Sequence, residues 1–343
     1  MPSNEYLLFG LGNPLLDAIA TMDPEILDRY GLEANNACLA EDKHLPLYDE
    51  IAKHPTVIYL AGGAAQNALR GAQYCLPPKS TVYVGCVGND KYADELRAAN
   101  EREGVRSEYM VTEGPTGICG AIVTGHHRSL VTNLAAANNY KVDHLKSPEI
   151  WRFVETTQFY YVGGYHLTVC VDAITALGEH AAEKNKACNQ VLIESNYPEQ
   201  MDNVSKYWDY IIGNESEAES YANFHYLHTT DLKEIAKYLA LLPKVNTARQ
   251  RVVVITQGAN PTIVVTAQNN GTVQIEEHEV TIIPDDQIVD TVGAGDAFSG
   301  AFIASLVQGR PVSEAVQAGH WLASLCIRQP GPAYPYPKQT FVK

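Results

Sequence analysis

The chain has 343 residues, 45% of them hydrophobic and 19% charged, a composition that fits a globular protein with a large core and excludes a disordered or fibrous one. Its 25 Lys and Arg stand against 40 Asp and Glu, a formal net charge of -15, which argues against a surface that grips nucleic acid through many phosphates. No apolar run reaches membrane-spanning length, and Met1 to Glu5 lack the basic and apolar regions of a secretory signal. The expectation is therefore a cytoplasmic protein, with the nucleus also open to it and no membrane partner.

The first predicted strand, Tyr6 to Leu11, runs into Phe9-Gly-Leu-Gly-Asn-Pro-Leu-Leu-Asp17. The GxG start resembles a dinucleotide-binding turn, but the third glycine is missing and Pro14 intervenes before any helix. What the turn presents is Asn13 and Asp17, and a short carboxylate accepts bonds from two neighbouring hydroxyls at once, as a ribose diol offers. Parts of Asp17 to Leu60 break the strand and helix rhythm and are assigned to a small lid. In Leu60-Ala-Gly-Gly-Ala-Ala-Gln-Asn67, Gly62 and Gly63 let backbone approach a polar ligand while Asn67 offers a donor and acceptors. A tight strand-to-helix turn with Asn67 exposed also accounts for that pattern.

A strand at Val82 to Val87 follows. Thr116 to Asn138, where Gly117-Ile-Cys-Gly-Ala-Ile-Val-Thr124 alternates like strands with an exposed face, supplies the rest of the lid. Further strands are predicted at Phe159 to Val162, Val191 to Ile193, Tyr210 to Ile212 and Val252 to Thr256. Their alternation with helical stretches implies an α/β fold, a doubly wound, mostly parallel sheet with helices on both faces. The consecutive β-branched residues of Val252 to Ile255 place that strand in mid-sheet, buried on both sides. The expected division is a large nucleotide-binding domain of residues 1–15, 62–115 and 142–343, and a lid of residues 16–61 and 116–141.

After the Tyr210 strand, Asn214-Glu-Ser-Glu217 sets an amide and a carboxylate three apart on one helical face. Such oxygens suit Mg²⁺ bound through water, and an acidic first turn that complements the helix dipole is the alternative. Thr256-Gln-Gly258 closes the buried strand in a turn suited to the phosphate side. The most informative stretch is Asp290-Thr-Val-Gly-Ala-Gly-Asp-Ala-Phe-Ser-Gly300, a glycine turn that opens the helical run Ala297 to Val307. Gly293 and Gly295 allow the N–H groups from Val292 to Asp296 to converge on an anion at the positive end of the helix. Asp296, in the first turn, is favoured there by the dipole even without catalytic duty. No Walker sequence and no protein-kinase triplets occur. The seven cysteines form no CxxC pair, so reduced thiols are expected.

Gly62-Gly63 with Asn67, the Asn214 to Glu217 segment and the Asp290 to Asp296 signature occur in the order that resembles the ribokinase-like (pfkB) carbohydrate kinase family. Gly12-Asn-Pro-Leu-Leu-Asp17, Leu39-Ala-Glu-Asp-Lys-His44, Ala61-Gly-Gly-Ala-Ala-Gln-Asn67 and Arg128-Ser-Leu-Val-Thr-Asn-Leu-Ala-Ala-Ala-Asn138 are similar to its purine-nucleoside-phosphorylating members over nearly the whole chain. The resemblance implies the ribokinase-like fold, a monomer, and ATP-dependent phosphorylation of the adenosine 5′-hydroxyl to AMP, a purine salvage step. Mg²⁺ accompanies ATP, and a monovalent cation such as K⁺ is a further candidate. By position, Asn13, Asp17, Gly62, Gly63 and Asn67 hold the ribose, and Leu15, Cys119, Leu130, Tyr165 and His166 enclose the purine. Asp296 accepts the proton of the hydroxyl beside the anion hole Gly293-Ala294-Gly295, and Arg128 neutralises the moving phosphoryl group. Asn214, Thr256, Gly258, Asp290 and Thr291 serve ATP, with Asn214 and Glu217 at Mg²⁺. Ala37 and Val292 stand where those members carry polar residues, and Ala187 to Asp202 departs from them altogether. A ribokinase, a fructokinase, a guanosine/inosine kinase and a non-catalytic nucleoside-binding protein remain the alternatives.

Overall fold

The computed structural model describes residues 6–34, 37–125, 127–192, 198–268 and 270–342. Its strands, in chain order, are β1 Leu8–Leu11, β2 Leu15–Thr21, β3 Ala37–Leu39, β4 Ile58–Gly62, β5 Thr81–Val87, β6 Val105–Val111 and β7 Ile118–Thr124, then β8 His127–Asn133, β9 Phe159–Val162, β10 Ala187–Val191, β11 Tyr210–Asn214, β12 Val252–Gln257, β13 Asn260–Ala267 and β14 Val273–His278. They form a nine-stranded sheet of order β14-β13-β12-β11-β10-β9-β1-β5-β6 and a five-stranded sheet of order β3-β8-β7-β2-β4. From β6 to β12 every pairing in the large sheet is parallel, and β13 and β14 extend that edge antiparallel.

A parallel strand covered by helices on both faces must bury every side chain. β12 does so: Val253 and Ile255 enter one core with Phe9, Val84 and Tyr160, whereas Val252 and Val254 enter the opposite core with Tyr83, Phe298 and Phe302. β10 corrects the expected strand at Val191 to Ile193. It starts earlier, at Ala187, and ends at Val191, while Ile193 lies outside the described residues. The polar pair Asn189 and Gln190 hid it, although both are fully buried and Asn189 Nδ2 donates to the Tyr160 carbonyl at 2.8 Å.

The small sheet also departs from expectation. β7 has no solvent face, because Cys119 to Ile122 are all buried. Gly120 and Ile122 pack on the helix Leu45–Lys53 through Tyr48 and Ile51, and Cys119 points to a second cluster with Leu15 and Leu134. Only Gly12, Asn13 and Pro14 separate β1 from β2, and β4 leads straight into the helix Ala64–Cys75. These short links hold the small sheet over the carboxyl ends of the parallel strands, where open α/β sheets bind ligands. A third tie is Thr116, whose N–H and Oγ1 both donate to Asp90 at 2.7 Å. All seven cysteines are free, and no helix among the described residues is long and apolar enough to cross a membrane.

Candidate active site

Asp17 lies in β2, in register with Leu60 of β4 on one side and Cys119 of β7 on the other. It is 7% exposed. Burial pushes its carboxyl up to about 7; Arg128 and Arg70 oppose that rise and Asp296 adds to it. Gly62 faces it so closely that a Cβ there would stand 2.1 Å from Asp17 Cγ, so glycine is what leaves the carboxylate its room. Gly63 follows with φ +90 and begins the helix Ala64–Cys75, a backbone shape that L side chains rarely adopt.

Asn67, in the first turn of that helix, is also buried, and its Nδ2 donates to Asp296 Oδ2 at 3.0 Å across 229 positions of chain. Asp296 sits in the first turn of the helix Ala294–Val307, whose N-cap Gly293 has φ +80 and receives no side-chain bond. The carboxylate is held by Asn67 beside that helix start. Burial holds it at about 6, against the Asn67 hydrogen bond and the Arg70 charge, which lower it. Of the amides expected to form a cradle, Val292 donates to Asp290 Oδ1 at 2.9 Å and Ala294 to the Thr291 carbonyl at 3.2 Å. The amides left to converge on an anion are those of Gly293, Gly295 and Asp296.

These groups face a cavity of about 290 Å³. Asn13, Leu15, Asp17, Gly63 and Asn67 line it from the early segments, Cys119 and Leu130 from β7 and β8, Tyr165 and His166 from the turn after β9, and Gly293 and Asp296 from the late helix. Gly62, Ala294 and Gly295 stand beside this lining without joining it. Asn13 Nδ2 donates to the Tyr165 carbonyl at 3.2 Å, and its Oδ1 meets His166 Nδ1 at 2.8 Å. Burial lowers His166 to about 3, so the imidazole is neutral and carries its proton on Nδ1, facing the amide oxygen. Burial likewise pushes the Cys119 thiol up to about 12, which leaves an uncharged sulfur on the apolar wall.

Several lining residues escaped the sequence reading: Cys38 and Leu39 of β3, Thr132 of β8, Leu134, Ala64, Ala65, and Gly163 and Gly164. The last pair carried a usable signal, since two glycines at the end of a buried parallel strand repeat the logic of Gly62 and Gly63. Ala37 and Val292, the two positions with departures, line the cavity as well.

The expected ATP-side residues lie outside this lining. Asn214 and Thr256 are in register at the carboxyl ends of β11 and β12, Gly258 turns the chain into β13 with φ +56, and Thr291 is exposed. Asp290 forms an ion pair with Arg128 and accepts from Gly331 N at 2.9 Å. Arg128 is thus pinned to the turn before the glycine loop, outside the cavity lining. Asn214 and Glu217 form a capping box, Asn214 Oδ1 accepting from Glu217 N and Glu217 Oε2 from Asn214 N, both at 2.8 Å. No group of three or more His, Cys, Asp or Glu among the described residues suits a metal ion. The capping pair still offers hard oxygens with lone pairs to spare, a donor set that fits Mg²⁺ bound through water.

The model of the pfkB family of carbohydrate kinases matches residues 30–339. The chain belongs to the pfkB family. Among the pfkB kinases similar to it, the adenosine kinase of Schizosaccharomyces pombe is 47% identical over 98% of this chain and 99% of that protein. Adenosine kinase 1 of Arabidopsis thaliana is 43% identical over 98% of each. Of the solved structures, Anopheles gambiae adenosine kinase in complex with P1,P4-di(adenosine-5) tetraphosphate superposes with a TM-score of 0.91 at 38% identity, covering 95% of this chain and 96% of that one. Adenosine kinase from Schistosoma mansoni in complex with adenosine and AMP does so with a TM-score of 0.88 at 32% identity, over 97% and 98%. These matches, with the mostly parallel sheet flanked by helices, establish the ribokinase-like fold expected from the strand and helix alternation.

Proposed function

We propose that this pfkB kinase transfers the γ-phosphoryl group of ATP to the 5′-hydroxyl of adenosine, giving AMP and ADP. The observation that carries the reading is the Asn67–Asp296 pair, a carboxylate held at the mouth of an anion-binding helix start and facing the same cavity as the buried Asp17. The likeness to adenosine kinases over nearly the whole chain supplies the substrate.

In this reading Asp17 accepts hydrogen bonds from the ribose diol, with Asn13, Gly62, Gly63 and Asn67 around the sugar. The base lies between Leu15, Cys119, Leu130 and the Tyr165-His166 turn. Asp296 takes the proton of the 5′-hydroxyl as its oxygen attacks phosphorus in line and the bond from phosphorus to the bridging oxygen of ADP breaks. A carboxylate at about 6 is ionised at neutral pH yet basic enough to share that proton as it departs. The amides of Gly293, Gly295 and Asp296 stabilise charge on the moving phosphoryl group, which needs positioning and electrostatics more than covalent chemistry. Residues 16–61 and 116–141 act as a lid that excludes water, since an open site would hydrolyse ATP. Arg128, carried on that lid, brings a positive charge to the phosphoryl side.

Asn214, Thr256, Gly258, Asp290 and Thr291 serve the ATP phosphates and nucleotide. Asn214 and Glu217 hold Mg²⁺ through water, and the bound ion supplies compensation for phosphate charge. The chain acts as a monomer in the cytoplasm. Product analysis by chromatography, with adenosine, guanosine, inosine, ribose and fructose each offered with MgATP, tests the reading. AMP from adenosine at the highest kcat/KM is expected. A preferred sugar, or tight adenosine binding with no AMP formed, overturns it.

A further inference from the structure

Behind the cavity, Arg70 of the helix Ala64–Cys75 meets Glu103, the last residue of the helix Lys91–Glu103. Its Nε donates to Glu103 Oε2 at 2.9 Å and its Nη2 to Oε1 at 2.5 Å, with side chains 9% and 20% exposed. The remaining nitrogen, Nη1, turns the other way. It donates to the Ala61 carbonyl on β4 at 3.0 Å and to Asn67 Oδ1 at 3.4 Å. Asn67 in turn donates through Nδ2 to Asp296 at 3.0 Å.

We propose that Arg70, anchored by Glu103, is a positioning residue for phosphoryl transfer: it fixes the orientation of the Asn67 amide, and through it holds the Asp296 carboxylate in place while gripping the lid strand at Ala61. The inference rests on the adenosine kinase reading for its rate readouts.

The polarity of the relay makes the argument. A guanidinium has only donors, so the atom of Asn67 that faces it must be the amide oxygen, and the NH₂ is then directed at Asp296. Without Arg70 the amide oxygen loses its charged donor and the carboxylate alone orients the NH₂, so the Asn67–Asp296 contact is held less firmly. A buried ion pair is also a poor way to join two helices, because desolvating both ions cancels most of their attraction. Ordinary apolar packing would join them as well, so the purpose of the third nitrogen is the better account.

The charge acts as well as the geometry. The ionisable groups that face Asp296 are Asp17 from β2, Arg70 from the helix Ala64–Cys75, Tyr83 from β5, Tyr161 from β9, Cys326 from the helix Val312–Cys326, and Tyr334 from the C-terminal segment. Burial keeps the three tyrosines and Cys326 uncharged at neutral pH. Arg70 is then the charge that acts on Asp296, and it favours the ionised form, whereas Asp17 is itself raised by Asp296.

The test compares wild type with the double variant R70M/E103L, which removes both charges without stranding either, and with R70K, which keeps the charge but loses the fork. Single-turnover rates at saturating adenosine and MgATP are taken across about pH 5 to 8, and the Asp296 titration is followed directly by ¹³C NMR of the unliganded protein. We expect the acid limb of the rate and the NMR titration to move up by about one pH unit in R70M/E103L. Its plateau falls by roughly tenfold, the scale of losing one positioning contact, while adenosine Kd changes less. R70K restores the limb but not the full plateau. A folded R70M/E103L with both limb and titration at wild-type positions overturns the inference, and so does an equal loss of rate in both variants without any shift. If wild type makes no AMP, the substrate reading fails, and the NMR titration still decides whether Arg70 governs Asp296.

Discussion

Replacing Asp17 by Asn tests the sugar end of the site through its protons. Burial raises this carboxyl from 3.8 to about 7, which corresponds to roughly 4 kcal/mol against the charged form. A ribose diol that donates to the carboxylate favours the ionised state, so adenosine binding expels the proton. Below about pH 7 each further unit of acidification therefore weakens binding by up to about tenfold, and at pH 7 about half a proton is released per adenosine bound. Calorimetry in two buffers of different ionisation enthalpy counts that proton. In D17N the release near pH 7 falls to nearly zero, and the small remainder belongs to Asp296, which titrates nearer 6. The same shift bears on stability. Because the folded value lies above the unfolded one, protonated Asp17 favours the fold at low pH, and that contribution is lost as pH rises through about 7. Unliganded D17N should then match wild type near pH 4 and melt higher near pH 8, by up to a few kcal/mol in stability. If D17N releases as many protons as wild type and keeps the same slope of affinity with pH, the diol assignment is wrong.

Asp296→Asn should keep the fold and most adenosine binding but lower kcat by about 10²-fold or more, the usual scale for losing a positioned base; rates within a few-fold of wild type would take Asp296 out of the proton transfer. Arg128→Ala, which releases the half-buried Asp290 it now pairs with, should reduce kcat more than adenosine affinity measured without ATP, and weakened binding with normal turnover at saturation would instead make Arg128 a brace for the cavity. The nucleoside 2′-deoxyadenosine leaves the buried Asp17 short of one donor, a loss on the order of 1–3 kcal/mol or roughly tenfold to over a hundredfold in kcat/KM; Asp17→Ala should shrink that ratio, and an unchanged ratio would place the carboxylate's role in the lid or the strand end.

Much of the site was legible because its chemistry is local. Gly62-Gly63 and Gly293-Ala-Gly295 announce turns that open helices, and such turns put Asn67 and Asp296 into first helical turns whatever the rest of the chain does. The capping box of Asn214 and Glu217 is local as well, and it occupies one oxygen of each residue offered to the metal. Other features were hidden by neighbours the sequence does not name. Asn189 and Gln190 read as polar and lie fully buried in a strand, where the backbone of an adjacent strand accepts from the amide nitrogen of Asn189. β7 alternates like an exposed strand and is covered on one face by a helix and on the other by the cavity wall.

Taken by itself, the amino-acid order determined the α/β class, the family and the glycine turns, since strand periodicity and backbone freedom depend on residues a few places apart. Tertiary structure alone decided what those turns serve. The bond from Asn67 to Asp296 spans 229 positions, that from Asn13 to His166 spans 153, and the Arg128–Asp290 pair spans 162. Burial follows the same rule: a carboxylate at about 7 and an imidazole at about 3 are products of desolvation, which depends on what the fold packs around a group and not on the residues beside it in the chain.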